Sequence, residues 1–556
     1  MEVDITKIRT LIIFSLIPWL VVTYIKSHPW VHVLQLEGYK SPEYWDWLKK
    51  NRRKLFPARH IIECALILAA TVTVCFLPAA HPTFYGLIAF WALLQISQLI
   101  KRAARTKAKK PMVYTNRIFR LLAGVKVIIC LEALFLLVLF FPKPTDVNWF
   151  QRDLVTCAGM YFLLQLITFL APYNVYLANK FVMPLENCIK WRYFREAKQM
   201  VRKQTNLKVL AITGSYGKTS TKFFLHGMMS TGFPTLMTPE SYNTPMGVTK
   251  IIRGELKSYH QFFVVEMGAR YTGDIAELCR LTPPIMGILT AIGPHHLDTF
   301  GNLETIIKTK GELLKALPPE GVAVINQDDP NIVPLALNLA CQCLRYGIGA
   351  SAEKNVWGQD ISCGPEGTGF TLYTKGGENI VLRTQLLGEH NVYNILAAAC
   401  AAIYWQVPLN NIARSVARLQ PVPHRLQLLR GEGGVFIIDD AFNSNPVGAA
   451  AALNVLKSFD SGRKILITPG MVELGDTESA QNKQFGNQAA SACDYVILVG
   501  PKRTVPIAEG LAEANFPSDQ IFVVKDLTAA RKIMNSLVKS GDVVLFENDL
   551  PDHYNE

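Results

Sequence analysis

The chain has 556 residues, half of them hydrophobic, and a formal net charge of +13. That length suits about three or four domains at roughly 150 residues each. Residues 1–203 hold 28 Lys and Arg against 11 Asp and Glu, the remainder 29 against 33. The basic excess therefore belongs to the apolar N-terminal part, where it reads as membrane topology and not as a nucleic-acid surface.

Apolar runs occupy about 10–25, 61–80, 83–100, 121–141 and 154–172. Each approaches or reaches the ~20 residues that span a bilayer. The first is short, contains Pro18 and is flanked by Arg9 and Lys26; no small-residue cleavage site follows it, which argues against a signal peptide. Residues 26–60 carry Lys49, Lys50, Arg52, Arg53, Lys54 and Arg59, and residues 101–120 carry eight more basic side chains. The links at 78–82 and 142–153 are nearly free of positive charge. The alternation predicts a multi-pass protein of the plasma (inner) membrane, with five spans, the N-terminus outside and everything after about 173 in the cytoplasm. The membrane domain is read as 1–179. The aromatics Trp30, Tyr39, Tyr44, Trp45 and Trp47 read as interfacial anchors, with lipid head-group binding as the alternative. Residues 180–206 read as an amphipathic linker lying near the interface.

From 207 the pattern becomes α/β. Apolar strands are expected at 208–213, 262–265, 285–290 and 321–325, with the 390–420 segment, including its apolar run at 394–403, helical. A second alternation follows, with strands at 434–438, 464–468, 495–499 and 542–546. The Gln420–His424 link, with its two prolines, is a hinge between cytosolic domains at 207–420 and 421–556. The cysteines are scattered. Cys341 and Cys343 form the one close pair and no second pair answers it, so a zinc ribbon is not expected.

The chemistry centres on Gly214-Ser215-Tyr216-Gly217-Lys218-Thr219-Ser220, between an apolar strand and a helix-like run at 221–229. Two glycines let backbone N–H groups turn toward phosphates, Lys218 adds a point charge, and the Thr219 hydroxyl suits Mg²⁺. Only two residues separate the glycines, where the usual phosphate loop has four. The alternative is an ordinary glycine turn. Glu266 ends a strand, either as a Mg²⁺ ligand or as a solvated acid. His295, His296 and Asp298 are metal donors or structural side chains. Lys308 and Lys310 lie on a predicted helix, Asp439 and Asp440 end a strand, and Arg425 follows the hinge.

Taken in order, these strings resemble the Mur ligase family, the ATP-dependent amide ligases of peptidoglycan precursor synthesis. They include Ile212-Thr-Gly-Ser-Tyr-Gly-Lys-Thr-Ser220, Val265-Glu-Met-Gly-Ala269, Ile292-Gly-Pro-His-His-Leu-Asp298, Thr309-Lys-Gly-Glu312, Gly388-Glu-His-Asn391, His424-Arg425, Asp439-Asp-Ala-Phe-Asn-Ser-Asn-Pro446 and Gly470-Met-Val-Glu-Leu-Gly475. They are nearest the branch that adds a D-alanyl-D-alanine dipeptide. The resemblance covers about 350 residues and implies a P-loop central ATPase domain and a Rossmann-like C-terminal domain behind the α-helical transmembrane domain. It implies that Gly214–Ser220 cradle ATP, with Lys218 and Thr219 on the phosphates and a first Mg²⁺, and Glu266 on that metal. His296 would help hold a second Mg²⁺, and Lys310 would be carbamylated. Asn391 would contact the adenine, Asp440 and Asn445 would sit near the nucleotide, and Arg425 would reach the γ-phosphate.

The implied reaction is activation of a carboxylate as an acyl phosphate, followed by attack of an amino-acid or dipeptide amine. Two departures matter. The membrane block stands where the family has a soluble domain for a UDP-linked substrate, so a membrane-presented carboxylate acceptor is expected ahead of a nucleotide-linked one. The last strand runs into Phe546-Glu-Asn-Asp549 where that branch has a basic loop. Glu547 and Asp549 would then attract a cationic amine, or form a solvated acidic turn. The alternatives are a poly-γ-glutamate synthase-like capsule ligase and a non-catalytic membrane scaffold.

Overall fold

The computed structural model describes the chain except for residues 1–4, 56–57, 77–80, 101–110, 141–148, 295–296, 365, 442–443, 461, 473 and 550–556. The basic loop at 101–110 and His295 and His296 therefore lie outside the described residues. The chain divides into two compact units, Met1–Lys190 and Trp191–Glu556.

The first unit is helical. Helices Ile5–Leu36, Ala58–Phe76, His81–Ile100, Asn116–Phe140 and Trp149–Ile167 stand at the five expected positions. Three described stretches, Thr10–Leu36, Asn116–Phe140 and Ala158–Lys203, are long and apolar enough to cross a membrane; Ile61–Ala70 is a shorter apolar piece. The count by length and composition is thus three among the described residues, against the five expected. Helix Asn116–Phe140 leaves Phe119, Leu131, Phe135 and Val138 exposed along its length while Ile118, Leu122, Val125 and Ile129 are buried, a two-faced pattern that suits a lipid-facing helix.

The aromatics at 30–47 are mostly packed. Tyr44 is fully buried and donates to Pro172 O at 3.0 Å, and Trp45 meets Tyr173 and Tyr176 at ring distances of 5.8 and 5.2 Å. The expected linker has no separate start: a single helix runs from Ala171 to Lys203 with Pro184 inside it. Its last turns belong to the second unit, where Glu196 accepts from Arg253 Nε at 3.1 Å and Ala197 and Val201 are buried.

The second unit holds two sheets. In the first, β1 (Lys208–Thr213), β2 (Thr235–Met237), β3 (Phe262–Glu266), β4 (Met286–Leu289), β5 (Val322–Asn326), β6 (Gln342–Ile348), β7 (Val356–Gly364), β8 (Gly367–Thr374) and β9 (Asn379–Thr384) take the order β2-β3-β1-β4-β5-β6-β7-β8-β9. The first seven pair in parallel; β7, β8 and β9 pair antiparallel. Strand β1 is buried on both faces. Leu210 and Ile212 pack with Phe224, Leu225 and Ile395, while Val209 and Ala211 pack with Val248, Ile252 and Leu278. Helices therefore cover both faces of a parallel sheet, and its strands read as continuous apolar runs. In such a sheet the carboxyl ends of the strands form the ligand-binding edge.

The second sheet has β10 (Gln427–Arg430), β11 (Phe436–Asp440), β12 (Lys464–Thr468), β13 (Tyr495–Val499), β14 (Ile521–Val524) and β15 (Val543–Glu547) in the order β10-β11-β15-β12-β13-β14. Only β10 runs antiparallel to its neighbour. The register of β11 and β15 sets Asp440 opposite Glu547. Glu547 is 1% exposed and accepts from the Ser444 hydroxyl, so a solvated acidic turn is not what forms there; Asp549, two residues on, is exposed. Burial, then the facing Asp440 carboxyl, pushes the Glu547 carboxyl well above the usual carboxylate range, and burial also raises Asp440.

Raised carboxyl pKa values mean that the fold holds protons the unfolded chain releases. The stability they contribute is complete below the unfolded carboxylate range and is lost as pH rises through the raised values. Replacing Glu547 with Gln removes one of the two facing charges. Thermal unfolding of E547Q at pH 8 is expected several degrees above wild type, roughly 1–2 kcal/mol, with the gap closing at pH 5. An equal or lower Tm at pH 8 contradicts the reading.

Candidate active site at the carboxyl edge of the first sheet

The loop after β1 needs its glycines. Gly214 has φ 154° and Gly217 φ 76°. A Cβ on Gly214 would stand 2.1 Å from Thr290 Oγ1, and one on Gly217 2.2 Å from Asn394 Oδ1. The helix starts at Lys218, three residues earlier than the apolar pattern indicates, with Gly217 as its N-cap. Its first-turn N–H groups and the glycine loop form the kind of concavity that takes an anion.

The loop is stitched to the segment after β4. Ser215 N donates to Ala291 O at 2.6 Å, and Gly293 N donates to Ser215 Oγ at 3.1 Å. Thr290 Oγ1 donates to Tyr216 O at 2.5 Å, and Tyr216 OH donates to Pro294 O at 2.6 Å. Asp329, in the turn after β5, secures that segment, accepting from Ile292 N at 2.7 Å. The stretch leading into His295 and His296 is thus fixed against the loop, although the two histidines lie outside the described residues.

Glu266 ends β3, paired in register with Ile212 of β1. It is 1% exposed, so it is no solvated strand-end acid. Oε1 accepts from Thr219 Oγ1 at 3.2 Å and Asn243 Nδ2 at 2.9 Å; Oε2 accepts from Lys222 Nζ at 3.3 Å. Thr238 Oγ1 takes the Glu266 backbone N–H at 3.2 Å. A buried carboxylate with this many donors is held in one orientation. The hydroxyl and carboxylate oxygens of Thr219 and Glu266 are hard donors of the kind Mg²⁺ prefers. Among the described residues no set of three His, Cys, Asp or Glu side chains converges on a cation.

Three basic groups gather near this carboxylate. Lys218 is half-buried and its Nζ folds back on its own loop, donating to Gly214 O at 2.8 Å and Ser215 O at 2.9 Å. Burial lowers its pKa to about 8, with Glu266 opposing and Arg425 adding to the shift. Lys310 is 3% exposed at the end of helix Leu303–Lys310. Its Nζ lies 5.9 Å from the Phe300 ring centre and has no hydrogen-bond acceptor or ion-pair partner among the described residues. Burial first, then the Lys218 charge, lowers it to about 7. Arg425 is half-buried and feels both Glu266 and Asp440. Its flanking residues His424 and Leu426 both have positive φ, 61° and 45°, uncommon for such side chains and costly unless fixed by their surroundings. His424 is fixed by Asp439, Nδ1 to Oδ2 at 2.8 Å, and Leu426 N donates to Asp440 Oδ1 at 3.1 Å.

The structure therefore brings Lys218, Thr219, Glu266, Lys310 and Arg425 together. Asn391 is buried one turn from Asn394, donating to Leu387 O at 2.8 Å, and Asn394 approaches the loop through Thr221 Oγ1 at 3.4 Å. Asn445 caps helix Pro446–Lys457, accepting from Gly448 N at 2.9 Å. Sequence reading missed Lys222, Asn243, Thr238 and Asp329. Lys222 had a signal, four residues after Lys218 on one helix; the others depend on loops meeting across the sheet edge.

Two family matches cover most of this unit: the Mur ligase middle domain over residues 212–402, and the Mur ligase glutamate ligase domain over 424–547. The UDP-N-acetylmuramoyl-tripeptide–D-alanyl-D-alanine ligase of Bacillus subtilis is 31% identical over 342 residues, 61% of this chain and 72% of the relative. The Escherichia coli ligase of that name is 31% identical over 352 residues, 63% of this chain and 77% of the relative. A crystal structure of MurF from Acinetobacter baumannii superposes with a TM-score of 0.59 at 26% identity, covering 66% of this chain and 78% of that one. The MurF ligase of Thermotoga maritima, solved in complex with ADP, gives 0.57 at 26% identity, with 65% and 80% covered. The chain thus belongs to the Mur ligase family, and it is a MurF-like ATP-dependent ligase that forms amide bonds.

Proposed function

We propose that this ligase is anchored in the membrane by its helical unit and joins an amino-acid or dipeptide amine to a membrane-presented carboxylate of a cell-wall precursor or surface polymer. The observation that carries this reading is the helical unit itself. Three helical stretches apolar enough to cross a bilayer precede the first family match at residue 212. The basic residues that flank the spans support a catalytic unit on the cytoplasmic side, where ATP is.

The chemistry proceeds in two steps. An acceptor carboxylate oxygen attacks the γ-phosphorus of ATP, and the bond to the β–γ bridging oxygen breaks, giving an acyl phosphate and ADP. The amine nitrogen then attacks the acyl carbon, phosphate leaves with its bonding electrons, and the nitrogen loses a proton. Mg²⁺, when bound, neutralises phosphate charge and polarises the transferring group. Thr219 and Glu266 supply its hard oxygen donors from this chain, and His296 is assigned to a second ion. Lys218 turns from the loop carbonyls to the phosphates, whose charge restores its own. Arg425 adds positive charge from beside the hinge, and fixed donors of this kind stabilise the transferring group without reorganising. Asn391, Asp440 and Asn445 are assigned to the nucleotide. Lys310, buried and without an acceptor among the described residues, is a neutral amine for much of the time near pH 7, the form that takes up CO₂ to become an oxygen anion.

Lys218→Ala and Lys310→Ala each lower amine-dependent ADP release by about 10²-fold or more; unchanged turnover in both contradicts the assignment. Because Lys310 must be neutral to be carbamylated, activity falls about tenfold per unit below pH 7 and falls when dissolved CO₂ is stripped. A flat profile from pH 5.5 to 8 removes Lys310 from this role.

The acceptor is tested with the purified full chain in nanodiscs, following ADP release with amino acids and D-alanyl-D-alanine against lipid-linked and UDP-linked muramyl peptides. Turnover is expected with the lipid-linked acceptor. Strong turnover with the soluble UDP-linked tripeptide alone contradicts the membrane-presented substrate. A ladder of products from one amino acid assigns the chain to iterative polymer synthesis instead.

A further inference from the structure

Lys222 has no part in the reaction as described, yet it is one of the most completely buried charges in the chain. It lies on the phosphate-loop helix one turn after Lys218 and is 0% exposed. Its Nζ sits 3.3 Å from Glu266 Oε2 and also donates to the backbone carbonyl of Glu240. Glu240 itself has φ 41° and lies in the segment that delivers Thr238 and Asn243 to Glu266. Gly268 lets that segment close: a Cβ there would stand 2.7 Å from the Asn243 side chain. The two Glu266 oxygens are thus divided. Oε2 faces the buried ammonium, and Oε1 faces the Thr219 hydroxyl and the Asn243 amide.

We propose that Lys222 is a positioning residue that acts as the resident counter-ion of Glu266. It holds Oε2, leaves Oε1 as the oxygen presented toward the cation beside Thr219, and fastens the 238–243 segment to the phosphate-loop helix. This rests on Glu266 being a cation ligand, as assigned above. A buried carboxylate that loses its directly bonded ion-pair partner is strongly destabilised. Lys222 therefore keeps the site assembled when no metal is bound, and metal binding adds to a carboxylate already oriented.

The test is thermal unfolding of the purified full chain in detergent, without and with Mg²⁺ and a non-hydrolysable ATP analogue. Mn²⁺ binding, read by its own spectroscopic signal, is followed in parallel. In metal-free buffer Lys222→Met is expected to lower Tm by about 10 °C, and Mg²⁺ with nucleotide to recover most of that loss, so that the metal-induced rise exceeds the wild-type rise. The double variant Lys222→Met/Glu266→Gln removes both charges of this pair. It is expected to regain metal-free Tm relative to the single variant and to show no Mn²⁺ site. Should the single variant fail to fold, recovery of folding in the double variant supports the counter-ion role, and failure of both overturns it. An equal Tm loss with and without metal that Glu266→Gln does not relieve makes Lys222 a packing residue and overturns the proposal. If Mn²⁺ binds equally well to Glu266→Gln and wild type, Glu266 is not a cation ligand. The metal assignment then fails, while the charge-pair result with Lys222 is read separately from the metal-free Tm.

Discussion

The catalytic unit depends on one buried carboxylate. Glu266 stands at the carboxyl end of β3, beside the phosphate loop that follows β1, and no water-exposed position is available to it. An unpaired carboxylate there would cost several kcal/mol, so the surrounding fold is obliged to bring donors to it. It does so from two elements: Thr219 and Lys222 come from the phosphate-loop helix, and the segment after β2 brings Asn243 to the carboxylate and the Thr238 hydroxyl to its backbone N–H. Satisfying this one acid fixes the helix, the loop and the strand edge relative to one another. The same donors leave a hydroxyl and a carboxylate oxygen side by side, the pair a hard cation needs.

A second constraint is the gathering of positive charge around this carboxylate. Lys218, Lys310 and Arg425 all lie within each other's or Glu266's electrostatic reach, and burial lowers the pKa of each. Lys218 resolves this by donating to backbone carbonyls, and Lys310 by losing charge. Such a cluster is poorly stabilised on its own and well matched to a polyanion, which is what a nucleotide triphosphate is. The site is in this sense pre-organised by positive charge awaiting its counter-charge.

Much of this was legible in the chain. The buried parallel strands announce themselves as continuous apolar runs, and β12 and β13 fall at the residues their runs indicate. Glycines at 214 and 217 mark the loop because no other residue fits its backbone and close approaches. The β6–β9 region was not legible: β8 alternates buried and half-exposed positions through Gly367-Thr-Gly-Phe-Thr, a pattern too weak to separate from loop. The start of the long helix at Ala171 was missed because its composition shifts from apolar to basic within a single element. Glu547 reads as a polar turn in sequence; only the register of β15 beside β11 reveals that it is buried against another acid.

The central claim is that the carboxylate acceptor passes through an acyl phosphate at this site and that the acceptor arrives from the membrane. It is tested most directly with the full chain in nanodiscs and a lipid-linked acceptor whose terminal carboxylate carries heavy oxygen. Acyl-phosphate formation transfers one carboxylate oxygen to the departing phosphate, so mass analysis of the released phosphate should find one labelled oxygen per amide formed. Amide formed with unlabelled phosphate would contradict the account.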